Sequence, residues 1–138
     1  MTVNRQELGG ILKNTGDSAK RFIVAGMPMY NEEETIGTVV TTALRYVDAV
    51  ICIDDGSSDS SARIAEACGA TVIRHRVNRG YGGALKTLFI KAKDLNVDAL
   101  VVLDSDGQAY VPLVMSLNAL EKVLNGERAV TTVTQLQD

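Results

Sequence analysis

The segment ALVVLDSDGQ, residues 99–108, carries an apolar run into two carboxylates, Asp104 and Asp106, with only Ser105 between them. Carboxylates this close repel each other. A hard divalent cation, Mg²⁺ or Mn²⁺, relieves that repulsion by taking oxygens from both, and Gln108 offers a neutral oxygen two residues further on. Such sites keep coordination positions for substrate phosphates. The competing reading is a solvated turn, because Asp and Gly are common turn residues.

Three other clusters have residue types suited to chemistry. DDGSSD, residues 54–59, holds Asp54, Asp55 and Asp59. Asp55 is placed to accept a hydrogen bond from a nucleobase N–H or a ribose hydroxyl, whereas Asp59, with Ser57 or Ser58, suits the cap of a following helix. NRGYGGALK, residues 78–86, puts Gly80, Gly82 and Gly83 at a helix start, with Arg74, Arg76, Arg79 and Lys86 supplying positive charge. Glycines let a backbone approach a phosphate, and helix N-termini favour anions. The Gly-Lys-Ser/Thr ending of a Walker loop is absent, and the loop does not follow the first strand as a dinucleotide fingerprint does. Its alternative reading is a flexible turn with a solvated basic face. The last cluster, YNEEE at residues 30–34, follows the first apolar run. His75, the single histidine, reads as structural.

These clusters need elements to position them. RFIVAG predicts a strand ending at Gly26. EEETIGTVVTTALRYV places Ile36, Val39, Val40, Ala43, Leu44 and Val47 on one helical face, with Asn31 as N-cap and Glu32–Glu34 at the positive end. AVICID is a second buried strand, SDSSARIAEACG a second helix stopped by Gly69, and TVIRH a third strand. GGALKTLFIKAKDL is a third helix burying Leu85, Leu88, Phe89 and Ala92, and ALVVLD a fourth strand. LVMSLNALEKVLNG reads as a helix closed by Gly126, and AVTTVT as a last strand. This alternation predicts an α/β domain with a mostly parallel sheet covered by helices on both faces. In such open sheets ligands bind beyond the carboxyl ends of the strands, where all four clusters fall.

The 138 residues suffice for one domain: a polar N-terminal extension over residues 1–20, with a short helical turn around Glu7 to Leu12, and an α/β unit over 21–138. A net charge of −3 argues against a nucleic-acid partner. Cys52 and Cys68 form no CxxC pair, so they read as buried thiols in a reducing, cytosolic setting. No segment approaches the roughly 18 apolar residues of a membrane span.

The four clusters in order, MPMYNEEETI, CIDDGSSDSS, NRGYGGALKTLF and VVLDSDGQ, resemble the family 2 glycosyltransferases, closest to the branch that makes dolichyl- or polyprenyl-phosphate sugars. The resemblance runs from about Phe22 to Gln108 and more loosely to Thr134. It implies the GT-A fold, whose Rossmann-like half binds a nucleotide sugar, UDP- or GDP-linked, and whose other half binds the acceptor. It also implies inverting transfer with Mg²⁺ or Mn²⁺. Carried over, Pro28, Tyr30, Asn31 and Glu32 line the nucleotide pocket, Ile53 and Asp55 meet base and ribose, and Asp104 with Ser105 belongs to the nucleotide contacts. Asp104 and Asp106 match the DxD motif that holds the metal, with Gln108 as a further ligand. Arg79, Gly80, Gly82, Gly83 and Lys86 are the phosphate-loop candidates.

Two departures stand out. After Gln108 the branch commonly continues with His and an acidic-proline stretch, where this chain reads AYVPLVMSL. The chain also ends at Asp138, before the acceptor half, so no catalytic residue is assigned. The expectation is a donor-binding half, a fragment or a naturally shortened protein, completed by a partner or a homodimer. The resemblance further suggests a polyprenyl-phosphate acceptor and peripheral contact at the cytosolic membrane face. Two rival readings remain: a nucleotide-sugar-binding module without turnover, and a haloacid-dehalogenase-like phosphatase with Asp104 as nucleophile. The second leaves YNEEE and DDGSSD unexplained.

Overall fold

Four apolar runs become four parallel neighbours. The computed structural model describes residues 21–106, 113–126 and 131–132. In chain order the elements are β1 (Ile23–Met29), α1 (Ile36–Ala43), β2 (Ala49–Asp54), α2 (Ser61–Ala67), β3 (Thr71–Arg74), α3 (Gly80–Asp94), β4 (Ala99–Val102), β5 (Leu113–Ser116), α4 (Leu117–Leu124) and β6 (Thr131–Thr132). The sheet order is β3-β2-β1-β4-β5-β6. Strands β3, β2, β1 and β4 run parallel, and β5 and β6 each pair antiparallel with the strand before. Among the described residues no helix is long and apolar enough to cross a membrane.

Strand periodicity splits the core in two. Val24, Ile51, Ile53 and Leu100 face α3, packing on Ala84, Leu88, Phe89 and Ala92. Ala25, Met27, Met29, Val50 and Cys52 face the other way, onto Ile36 and Val40 of α1 and Ala62 and Ala65 of α2. Both faces of the sheet are therefore covered, and this is why its central strands read as continuous apolar runs. Cys52 packs as a buried thiol, pushed up to about 12 by burial and then by the charge of Asp54, and is inert as a nucleophile. Cys68 is half-buried, and neither cysteine is in a disulfide.

Two acids pin β1 at its start. Asp48 Oδ2 accepts from Ile23 N (2.8 Å) and Asp98 Oδ2 from Phe22 N (2.6 Å), while Asp48 N and Asp98 N donate back to the Ile23 and Phe22 carbonyls. Each acid immediately precedes its strand, so each reciprocal pair sets the register of β2 or β4 against β1.

Gly26 lets α3 sit close to the sheet. A Cβ there would overlap the Leu88 side chain, which is fully buried. Gly26→Ala is expected to destabilise the fold by roughly 1–3 kcal/mol, the usual cost of overpacking. Urea unfolding measures it, and an unchanged midpoint would mean that Leu88 repacks freely.

Several sequence expectations change. β1 continues three residues beyond Gly26 to Met29. The first helix is not capped by Asn31, which has φ +52 and uses its side chain elsewhere; α1 begins at Ile36, and Glu32–Glu34 precede it. The helix expected from Leu113 starts only at Leu117. Ser116 holds an extended backbone and accepts from Ala119 N (3.1 Å), a helix cap, while Leu113–Ser116 pairs with β4. β3 stops at Arg74, and α3 starts at Gly80 rather than Gly82. Gly69 and Gly126 follow α2 and α4 as expected. The helical turn around Glu7 to Leu12 and the ligand candidate Gln108 lie outside the described residues.

Candidate functional site

Strand β1 pairs with β2 from Val24 to Met29 but with β4 only from Ile23 to Gly26. The Gly26 carbonyl accepts from Leu103 N on the β4 side, and the Met29 carbonyl from Asp55 N on the β2 side (both 2.9 Å). Strand alternation therefore turns the nitrogen of Pro28 toward β4, and proline has no N–H to give. Past Gly26 the two strands part at the point where the strand order reverses, the position where open α/β sheets bind ligands. A crevice of about 410 Å³ opens there.

One wall of the crevice is the turn after β1, stitched to the turn after β2. Asn31 N donates to Ser57 Oγ (2.8 Å) and Ser58 N to Asn31 Oδ1 (2.9 Å). Glu32 N donates to Ser61 Oγ (2.7 Å), and Ser60 N to Glu33 Oε2 (2.9 Å). Asp59 Oδ1 accepts from Ser61 N (2.9 Å) and Oδ2 from Glu33 N (3.2 Å). Asp59 thus serves the start of α2 as its sequence suggested, although the capping position itself is Ser60. Burial raises the Asp59 carboxyl, but the bonds from Ser61 and Glu33 outweigh it and leave it below its usual range.

The floor is organised by Asp55, which is buried. Its Oδ1 accepts from Arg79 N (2.8 Å) and lies 2.8 Å from His75 Nδ1, and its Oδ2 accepts from Gly80 N (2.9 Å). Gly80 has φ +80, a left-handed backbone that suits glycine and turns its N–H onto the carboxylate. Burial raises the Asp55 carboxyl, but the bonds from Arg79 N, His75 and Gly80 N prevail and hold it below its usual range. The two amides that open the glycine-rich loop therefore point at Asp55. Neighbouring Asp54 is turned the other way: Oδ1 accepts from Ser57 N (3.0 Å), and Arg74 Nε stands 3.1 Å from Oδ2 without hydrogen-bond alignment.

The opposite wall is the turn after β4. The Ser105 carbonyl accepts from Thr35 Oγ1 (2.8 Å), which ties this turn to the start of α1 and leaves Asp104 and Asp106 at the crevice. Burial, and then the negative charge of Asp106, push the Asp104 carboxyl above its usual range. Burial and the charge of Asp104 likewise raise the hydroxyl of Tyr81 across the crevice. A strained like-charge pair at the mouth of a crevice fits a divalent cation. Among the described residues no group of three or more His, Cys, Asp or Glu is placed to hold a metal ion, so a cation on these two carboxylates would need further ligands from elsewhere.

Pro28, Tyr30, Glu32, Asp55, Gly80, Asp104, Ser105 and Asp106 therefore meet around one crevice. Asn31 does not line it, being committed to Ser57 and Ser58. Ile53 is in the core. Arg79, Gly82, Gly83 and Lys86 do not line it either. The lining adds Met29, Asn78, Tyr81 and Ala84, which sequence reading passed over. Tyr81, an aromatic set between glycines at a helix start, was a legible signal.

A model of the glycosyl transferase family 2 matches residues 25–125, which take in every wall of the crevice. The chain belongs to glycosyl transferase family 2. It is 32% identical over 108 residues to the UDP-N-acetylglucosamine–dolichyl-phosphate N-acetylglucosaminyltransferase of Methanococcus voltae, covering 65% of this chain and 43% of that one. It is 27% identical over 132 residues to human dolichyl-phosphate beta-glucosyltransferase, covering 83% and 39%. Among solved structures it resembles the glucosyl-3-phosphoglycerate synthase of Mycobacterium tuberculosis in complex with Mn²⁺, UDP-glucose and phosphoglyceric acid. The TM-score is 0.54 and the identity 28%, over 76% of this chain and 38% of that one. This family 2 chain thus spans about two fifths of the length of these relatives. Its parallel strands and two helical layers are those of the GT-A neighbours, as the resemblance implied.

Proposed function

We propose that the chain is the donor-binding half of a family 2 glycosyltransferase, holding a nucleoside diphosphate sugar in the crevice between β1 and β4. One observation carries this reading: a buried carboxylate, Asp55, and a like-charge pair, Asp104 and Asp106, face the same crevice at the reversal of strand order. Asp55 and Asn78 serve the base, Pro28 and Tyr30 flank it, and Asp104 with Asp106 holds Mg²⁺ or Mn²⁺ against the diphosphate. The cation would stabilise charge on the departing diphosphate as a Lewis acid. The acceptor, read from the relatives as a polyprenyl phosphate, would approach the sugar from the opposite face, and transfer then inverts the anomeric carbon.

The base is uracil rather than guanine. A carboxylate offers about four lone-pair positions. His75, Arg79 N and Gly80 N occupy three on Asp55. One remaining acceptor suits the single N3–H of uracil, whereas guanine presents N1–H and an amino group together. Asn78 Oδ1 accepts from Gly80 N (3.0 Å), which leaves its amide N–H groups as donors for a uracil carbonyl. UDP with Mn²⁺ is therefore expected to bind at least about tenfold more tightly than GDP with Mn²⁺, the scale of one hydrogen bond gained or lost. Isothermal calorimetry measures both, and equal affinities would remove the assignment of the base. Absence of Mn²⁺-dependent binding of either would remove the donor site.

A further inference from the structure

His75 and Thr87 belong to no wall of the crevice, yet they form a continuous chain to its floor. His75 is the single histidine, is buried, and is not among the residues that line the crevice. Its backbone N donates to the Asp54 carbonyl (2.8 Å), which fixes the residue to the end of β2. Its ring has partners at both nitrogens: Nδ1 at 2.8 Å from Asp55 Oδ1, and Nε2 at 2.8 Å from Thr87 Oγ1. Thr87 is anchored within α3, its hydroxyl 3.2 Å from the Gly83 carbonyl. An ionised carboxylate has no proton to offer, so the proton between His75 and Asp55 resides on Nδ1 and Asp55 accepts it.

The terminal torsion of a carboxylate is soft, so a lone Asp swings readily. Two of the donors to Asp55, Arg79 N and Gly80 N, come from the very loop that it holds. Those bonds alone would let carboxylate and loop move together. His75 brings a donor fixed to the sheet, and Thr87 braces the ring from α3. We propose that His75, braced by Thr87, is a positioning residue that locks the Asp55 carboxylate and through it the Arg79–Gly80 turn, presetting the crevice wall made by Asn78, Gly80 and Tyr81. The consequence for nucleotide affinity rests on the proposed function; the lock itself does not. A preset wall lowers the ordering cost of binding.

Two readouts test it in the whole chain. The first needs no ligand. In the wild type, the amides of Arg79 and Gly80 should be protected from hydrogen exchange, and the one histidine should show its ring proton on Nδ1 by nitrogen NMR. His75→Leu should speed exchange at those two amides about tenfold or more while β1 amides keep their protection. His75→Asn, which retains a donor near Nδ1, should restore most of it, and Thr87→Val should fall between. The second readout is UDP affinity with Mn²⁺. It should drop about tenfold in His75→Leu, a usual effect of losing a supporting partner, and recover in His75→Asn. Unchanged Arg79 and Gly80 exchange in His75→Leu, protection lost equally across β1 and β2, or a ring proton absent from Nδ1 would each overturn the lock. The expected exchange pattern without any UDP binding by the wild type would uphold the lock and overturn the donor-site reading.

Discussion

Asp106→Ala is expected to abolish the gain in UDP affinity that Mn²⁺ confers, while circular dichroism and the urea midpoint stay near the wild type. Asp106 is exposed at the crevice mouth, so its removal leaves no cavity. It also relieves the charge that pushes Asp104 upward. The cation, by contrast, would lose one of two protein carboxylates. Outer-shell partners of metals alone are worth about 10–100-fold in affinity, and a direct ligand should exceed that. Calorimetry with and without Mn²⁺ decides it. A metal-dependent affinity within twofold of the wild type would take the cation site away from this pair.

Asp55→Asn should act in the opposite manner, costing stability first. The asparagine keeps the shape but turns an NH₂ group either toward Gly80 N, which is left with Asn78 Oδ1 alone, or toward Arg79 N and His75. Hydrogen bonds to a charged group are worth roughly 1.5–3 kcal/mol each, so the total should be about 3 kcal/mol. The loss should depend on pH. Burial raises the folded carboxyl, but the hydrogen bonds from Arg79 N, His75 and Gly80 N prevail and hold it below its ordinary value of 3.8. The stability it contributes is therefore fully present above that value and is lost as pH falls through the lower folded one. The gap between wild type and Asp55→Asn in urea midpoint should be constant at neutral pH and shrink in acid below pH 3.8. A gap that does not narrow in acid would mean that Asp55 is not ionised in the fold.

What could be read from the sequence follows from which interactions are local. β2 and β4 are continuous apolar runs ending in acids, and a two-faced parallel sheet requires such runs, so both were legible. Leu113–Ser116 was not, because a short apolar run beside a helix carries both periodicities; only the cap at Ser116, which accepts from Ala119 N, separates strand from helix. Gly26 looked like the end of β1, but the strand runs on through Pro28 to Met29. Pro28 is tolerated because its nitrogen faces the side that β4 has already left. Asp55 was recognisable as an acid at the sheet mouth, but its bond to His75 joins residues 20 apart, which no local pattern records. Asn31 stood where a cap belongs, and its amide went instead to Ser58, across a contact that depends on β1 and β2 lying side by side.

Where β1 and β4 have parted, the next β1 nitrogen on that side, Pro28, carries no proton. Had residue 28 carried an N–H, the ladder could have zipped further toward Asp104 and consumed the space with backbone pairs. Because Pro28 cannot supply that rung, the gap costs the sheet no bond that it could otherwise have made. A cleft of this kind does not wait for its ligand to prise it apart. On the proposed donor reading, the binding-competent form would already be the resting form, and none of the affinity would be lost to a minority population. In kinetic language, the first encounter is also the productive one. The observed association rate should climb linearly with nucleotide concentration, without the plateau that a slow opening step would impose.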